Sequence, residues 1–159
     1  MVSQFGLMFF EDRRRAIAEM WRVLRPEGRL VVAVWDSLEN TPGYAAVTGM
    51  LQRLFGADFA NALRTPYLLG DRQALRALLG DAGVGDAEIA THDGTARFPS
   101  IDAWIFTDVK GWTLADMMDD AQYARLREEA QRVLQGFVGR DGTVSFRAPA
   151  HIATARKPA

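Results

Sequence analysis

The chain of 159 residues contains no cysteine, which excludes disulfide frameworks, thiol nucleophiles and cysteine-based zinc sites and makes a reducing cytoplasm the expected compartment. It has almost no charge bias: 19 Lys and Arg face 20 Asp and Glu, for a net charge of -1. With no polybasic stripe, nucleic acid is not an expected partner. Long hydrophobic runs are missing too. The longest in the first third, Leu30 to Trp35, falls far short of the roughly 20 residues that span a bilayer, so no membrane span is expected. The only histidines, His92 and His151, stand at no metal-ligand spacing from an acid or from each other. Ser3 and Ser145 have no G-x-S-x-G setting, which removes a serine-hydrolase reading. There is no internal repeat and no G-x-G-x-G turn; Gly136, Gly139 and Gly142 are spread through a helix end and a hairpin instead.

What is present is an ordinary soluble composition, 48% hydrophobic and 25% charged, which calls for a single domain over residues 1–159. Val2 to Phe10 reads as the end of a buried strand running into a loop. Asp12 then caps a helix to Arg25, with Ile17, Met20, Trp21 and Leu24 on one stripe, and Pro26-Glu27-Gly28 stops it. Leu30 to Trp35 is short, mostly β-branched and bounded by turn residues, as a strand buried on both faces of a parallel sheet would be. Helix, tight turn and buried strand make an α/β unit.

Beyond Asp36 the periodicity predicts a helix carrying Tyr44, Val47, Leu51, Leu54 and Phe55. It predicts another from Arg72 to Ala82, capped by Asp71 and closed by Gly83. Residues 86–98 read as extended, with a turn at His92-Asp93-Gly94. Ser100 caps a helix with Trp104, Ile105 and Val109, and a long amphipathic helix runs from Asp119 to Phe137. Arg140-Asp141-Gly142 turns into a strand from Thr143 to Arg147, and a last strand covers His151 to Arg156.

This order of elements, together with the segment Ser3 to Phe10, Asp12 and the run Arg22-Val23-Leu24-Arg25-Pro26-Glu27-Gly28-Arg29-Leu30, resembles the second half of a class I S-adenosylmethionine-dependent methyltransferase. The type 11 group, which includes ubiquinone and menaquinone C-methyltransferases, is the nearest likeness. Residues 22–30 carry its most specific piece, and the detailed resemblance extends over about residues 2–40. The resemblance implies an α/β fold with the second half of a Rossmann-like methyltransferase sheet and extra helices. It also implies that the family's glycine-rich loop and its acidic ribose-side and adenine-side residues lie before this chain starts. The expectation is therefore a truncated chain without the N-terminal cofactor-binding half, its cut sheet completed by dimerisation or by a partner chain.

In such enzymes donor and acceptor meet outside the carboxyl ends of the strands. The resemblance thus implies that Ser3, Gln4 and Phe5 lie beside S-adenosylmethionine, with Trp35 and Asp36 on the same rim. Met8, Phe9, Trp35, Tyr44, Trp104, Trp112 and His151 are the candidates to line a pocket for a small organic or lipid-like acceptor. Each has a plainer reading. Aromatic residues at helical spacing are first of all core residues, His151 is more readily a satisfied structural histidine than a general base, and Arg13-Arg14-Arg15 reads as a solvated helix face. No catalytic group stands out. Methyl transfer is a direct displacement at a sulfonium-bound carbon, which asks for alignment and exclusion of water more than for acid–base groups. The alternative is a non-catalytic methyltransferase-like domain that dimerises or completes a partner.

Overall fold

A computed structural model describes residues 1–112 and 114–159. Six strands occur among the described residues: β1 (Val2–Gln4), β2 (Arg29–Trp35), β3 (Glu88–His92), β4 (Thr95–Phe98), β5 (Val144–Arg147) and β6 (Ala150–Arg156). The helices are α1 (Arg13–Val23), α2 (Pro42–Phe55), α3 (Ala57–Arg64), α4 (Arg72–Asp81), α5 (Ile101–Lys110) and α6 (Asp120–Val133). They divide into two compact units. The first comprises Met1–Ser37, Thr65–Gly94 and Pro149–Ala159; the second comprises Leu38–Arg64 and Thr95–Ala148.

The first unit holds a four-stranded sheet in the order β1-β2-β6-β3. β1 runs parallel to β2, pairing Val2 with Val31 and Gln4 with Ala33. β6 lies antiparallel to both β2 and β3, pairing His151 with Val34 on one side and with Thr91 on the other. The sheet is therefore mixed. The apolar run of β2 is buried as expected, with Leu30, Val32 and Val34 in the core, but only one of its two neighbours is parallel. β1 is not the buried strand expected. It is an edge strand, and Val2 is 69% exposed, because no strand among the described residues pairs with its far side.

Local chemistry sets the helix ends. Asp12 accepts the Arg15 amide at 2.8 Å to cap α1. Asp71 accepts the Gln73 and Ala74 amides at 2.7 and 2.9 Å to cap α4. Those two bonds hold the Asp71 carboxyl below its ordinary pKa. Gly83 follows α4 at φ +86°, a conformation that favours glycine. The apolar stripes of α1 and α4 bury Ile17, Leu75 and Leu79 with Leu7, Met8, Val84, Ile89 and Ala153 in the core of this unit.

The second unit is helical around the small antiparallel sheet β4–β5. Ser100 caps α5 through the Ala103 amide at 3.1 Å. Asp119 and Gln122 form a reciprocal capping box on α6. The sequence pattern does not predict α3, which Gly56, at φ +93°, separates from α2. The long amphipathic helix ends at Val133, and a 3-10 turn over Gln135–Phe137 completes it. The core gathers Val47, Leu51, Leu63, Ile105, Leu126 and Leu134 around an aromatic centre at Trp104 and Phe146.

Candidate functional site

The carboxyl ends of the parallel pair β1–β2 form a rim in the first unit. Beyond Gln4 the chain turns sharply: Phe5 takes φ +50°, in the left-handed region that a bulky residue rarely occupies. It is held there by its own amide, which donates to the Ala33 carbonyl at 2.9 Å, and by its ring, which stacks on Trp35 with centroids 4.0 Å apart and planes 11° from parallel. Backbone strain of this kind persists only where the surroundings impose it, and it gathers at functional sites. Ser3 and Phe5 are half-buried and Gln4 is exposed, so all three reach the surface at this end of the sheet.

Asp36 follows Trp35 and is buried, its carboxylate accepting the Ser37 amide at 2.6 Å. The same oxygen lies 3.3 Å from Nε2 of His151. His151 is buried on β6, with Nε2 2.9 Å from the Gly70 carbonyl and Nδ1 2.9 Å from the Thr91 hydroxyl. A carbonyl can only accept, so Nε2 carries a proton and donates to Gly70. Both ring nitrogens are thus engaged by the protein, as for a structural histidine. Gly70 is required for contact: a Cβ there would lie 2.2 Å from the Ser37 nitrogen and 2.4 Å from the Asp36 carbonyl carbon. The Asp36–Ser37 backbone, the Gly70 loop, β6 and β3 are in this way tied into one support beneath the rim.

Of the other residues singled out in this unit, Met8 is fully buried in the core and Phe9, next to it in a 3-10 turn, is 51% exposed. Tyr44, Trp104 and Trp112 belong to the second unit. Trp104 is completely buried, with Phe146 at 4.6 Å, Phe98 at 5.6 Å, Tyr44 at 6.0 Å and Phe137 at 6.2 Å between ring centroids. Its indole N–H donates to the Asp108 carboxylate at 2.6 Å, one turn along α5. The Tyr44 hydroxyl also donates to Asp108. Burial nevertheless dominates and lifts the Asp108 carboxyl to about 6, while burial, with Asp108 adding to it, raises the Tyr44 phenol well above its ordinary value. Trp112 is 39% exposed and Tyr44 half-buried. Sequence reasoning found the aromatic residues but missed Asp108 and Gly70. The spacing Trp104 to Asp108, one helical turn, was the available signal for the former.

Among the described residues no group of histidines and acids could hold a metal ion, and no helix is long and apolar enough to cross a membrane. A family model described as a methyltransferase domain, type 11, matches residues 1–32. No curated protein matches the chain. Among solved structures, one described as a methyltransferase from Bacillus halodurans C-125 aligns over 99% of this chain and 68% of its own, with 17% identity and a TM-score of 0.54. The YcgJ protein of Bacillus subtilis aligns over 99% of this chain and 63% of its own, with 16% identity and a TM-score of 0.50. This chain therefore has an α/β fold with a mixed sheet like that of a solved structure described as a methyltransferase, and its first 32 residues resemble a methyltransferase domain.

Proposed function

We propose that this chain is the C-terminal half of a class I S-adenosylmethionine-dependent methyltransferase, acting on a small organic or lipid-like acceptor, with the methyl donor at the rim where β1 and β2 end. One observation carries this reading: the two parallel strands end side by side in a strained Phe5 stacked on Trp35, at the end of an α/β sheet where ligands bind. The residues fit the reactive end of such a donor. Aromatic faces attract a sulfonium cation, and Ser3 and Gln4 offer a hydroxyl and an amide beside them. Ser3, Gln4 and Phe5 are thus the donor-side residues. When bound, the donor supplies an activated methyl group.

The chain's own part is to orient the acceptor and exclude water, which needs no general base. Among the acceptor-side candidates of the first unit Phe9 and Trp35 present surface while Met8 and His151 are buried, and among those of the second unit Tyr44 and Trp112 present surface while Trp104 is buried. Residues 1–159 act as one domain in this reading, supported by the chain passing between the two units at 37/38, 64/65, 94/95 and 148/149. The free edge of β1 supports a second element of the proposal. Met1 and Phe5 bond β2 through their backbones, so by strand alternation the backbone groups of Val2 and Gln4 point the other way, toward a homodimer partner or a partner chain. The same edge favours the alternative, a non-catalytic partner-completing domain. The proposed setting is cytoplasmic.

Calorimetric titration with S-adenosylhomocysteine, alongside sizing of the same sample, tests this. Micromolar binding is expected. A folded, monodisperse sample that gives no heat would leave the non-catalytic reading in its place.

A further inference from the structure

The outer face of β4–β5 carries chemistry that the methyltransferase reading does not use. Register pairs Thr95 with Arg147, Ala96 with Phe146, Arg97 with Ser145 and Phe98 with Val144. Ala96, Phe98, Val144 and Phe146 turn toward the core of the second unit. Thr95, Arg97, Ser145 and Arg147 alternate with them and are exposed. Thr143 lies two residues before Ser145 and shares its side. The exposed face is therefore made of two guanidinium groups and three hydroxyls.

A groove of about 560 Å³ opens there, lined by Arg97, Phe98, Pro99, Asp141, Thr143 and Ser145. Its one carboxylate, Asp141, accepts the Thr143 hydroxyl at 2.7 Å and the Thr143 amide at 3.1 Å, bonds that hold its carboxyl below the ordinary range. The Arg97 guanidinium has no hydrogen-bond or ion-pair partner among the described residues. Arg147 lies diagonal to it on the same face. A guanidinium fork matches a carboxylate through two parallel hydrogen bonds. Ser145, directly across the ladder from Arg97, adds a neutral donor, and Pro99 adds an apolar wall.

We propose that this groove binds a small organic anion, a carboxylate on a flat apolar body, with Arg97 and Ser145 holding the carboxylate and Pro99 against the body. The groove belongs to the second unit and the donor rim to the first, and the proposal does not depend on the methyltransferase reading. Because Arg97 is exposed, water competes for it and binding is weak.

The test is an NMR titration of the full chain with benzoate, acetate and inorganic phosphate, each on the wild type, Arg97→Gln, Ser145→Val and Arg147→Gln. Saturable shifts centred on Arg97, Phe98 and Ser145 are expected with benzoate, with weaker binding of acetate. Arg97→Gln should weaken benzoate at least fivefold, Ser145→Val two- to threefold, and Arg147→Gln less than twofold, with amide spectra otherwise unchanged. Absence of saturable shifts, or benzoate binding indifferent to Arg97→Gln, overturns the site. Phosphate binding as tight as benzoate overturns its assignment to a carboxylate on an apolar body.

Discussion

Phe5 lies flat against Trp35, ring centroids 4.0 Å apart, and so joins the carboxyl end of β1 to that of β2. Both rings are half-buried, so the pair serves the rim and the sheet at once. An aromatic pair contributes about 0.5–1.5 kcal/mol beyond the area it buries. Trp35→Ala is expected to cost about 2–3 kcal/mol in urea unfolding. Trp35→Phe, which keeps a stack, should cost less than half as much. Equal losses for both would mean that the stack contributes nothing.

The Gly70 backbone presses against that of Asp36 and Ser37, and a Cβ would fall 2.2 Å from the Ser37 nitrogen. Gly70→Ala should therefore destabilise the fold by about 3 kcal/mol or more, since neither backbone can yield without moving the His151 network. Gly80 gives the contrast. It sits in α4 with nothing within 4 Å of its missing Cβ, so Gly80→Ala should stabilise by about 0.5–1 kcal/mol. Thermal melts of the two variants in opposite directions would bear this out; a neutral Gly70→Ala would refute the close approach.

Asp108 makes stability depend on pH with a definite sign. Its carboxyl titrates at about 6 in the folded chain, raised by burial, against about 3.9 when unfolded. The folded state thus binds the proton more tightly. The contribution is fully present below pH ~4 and is lost as pH rises through about 6. Carboxyls held low by their partners, such as Asp71, Asp102 and Glu129, act in the opposite sense at lower pH. Their transitions lie below that of Asp108, which falls inside the window from pH 7 to 5. Unfolding free energy should rise by on the order of 1–2 kcal/mol as pH falls across it, and Asp108→Asn should remove that slope. A slope that survives in the variant must come from another group.

Thr48, one turn beyond Tyr44 on α2, buries a hydroxyl oxygen with no hydrogen-bond partner among the described residues. A buried polar group left unsatisfied costs about 1–3 kcal/mol. Thr48→Val keeps the shape and removes the hydroxyl, so it should raise stability by about 1 kcal/mol. A loss of stability would mean that the oxygen has a partner, such as a buried water.

Most of this fold was legible because its signals are local. Asp12, Asp71 and Ser100 cap helices where the sequence pattern predicted, Asp119 caps the helix expected to start there, and the apolar run of Val31 to Val34 lies in the strand expected of it. What escaped depends on pairing across long separations. β1 looks apolar enough to be buried, yet exposure at a sheet edge is decided by which strands lie beside it. The direction of β6 against β2 is invisible in either segment alone. α3 is too short for a clear stripe. At the site, an aromatic residue in a sequence does not say whether its face is open or packed: Trp104 is wholly enclosed by other rings while Trp112 is partly exposed. Gly70 was silent because its role is set by a backbone some thirty residues away.

The methyl donor is proposed to sit at the rim where β1 and β2 end. Amide and indole NMR shifts on addition of S-adenosylhomocysteine address it most directly. The largest saturable changes are expected at Gln4, Phe5, Trp35 and Asp36, with the Trp35 indole among them and the Trp104 indole, enclosed in its aromatic core, unmoved. Binding whose shifts leave this rim untouched, or no binding by a folded chain, would contradict the account.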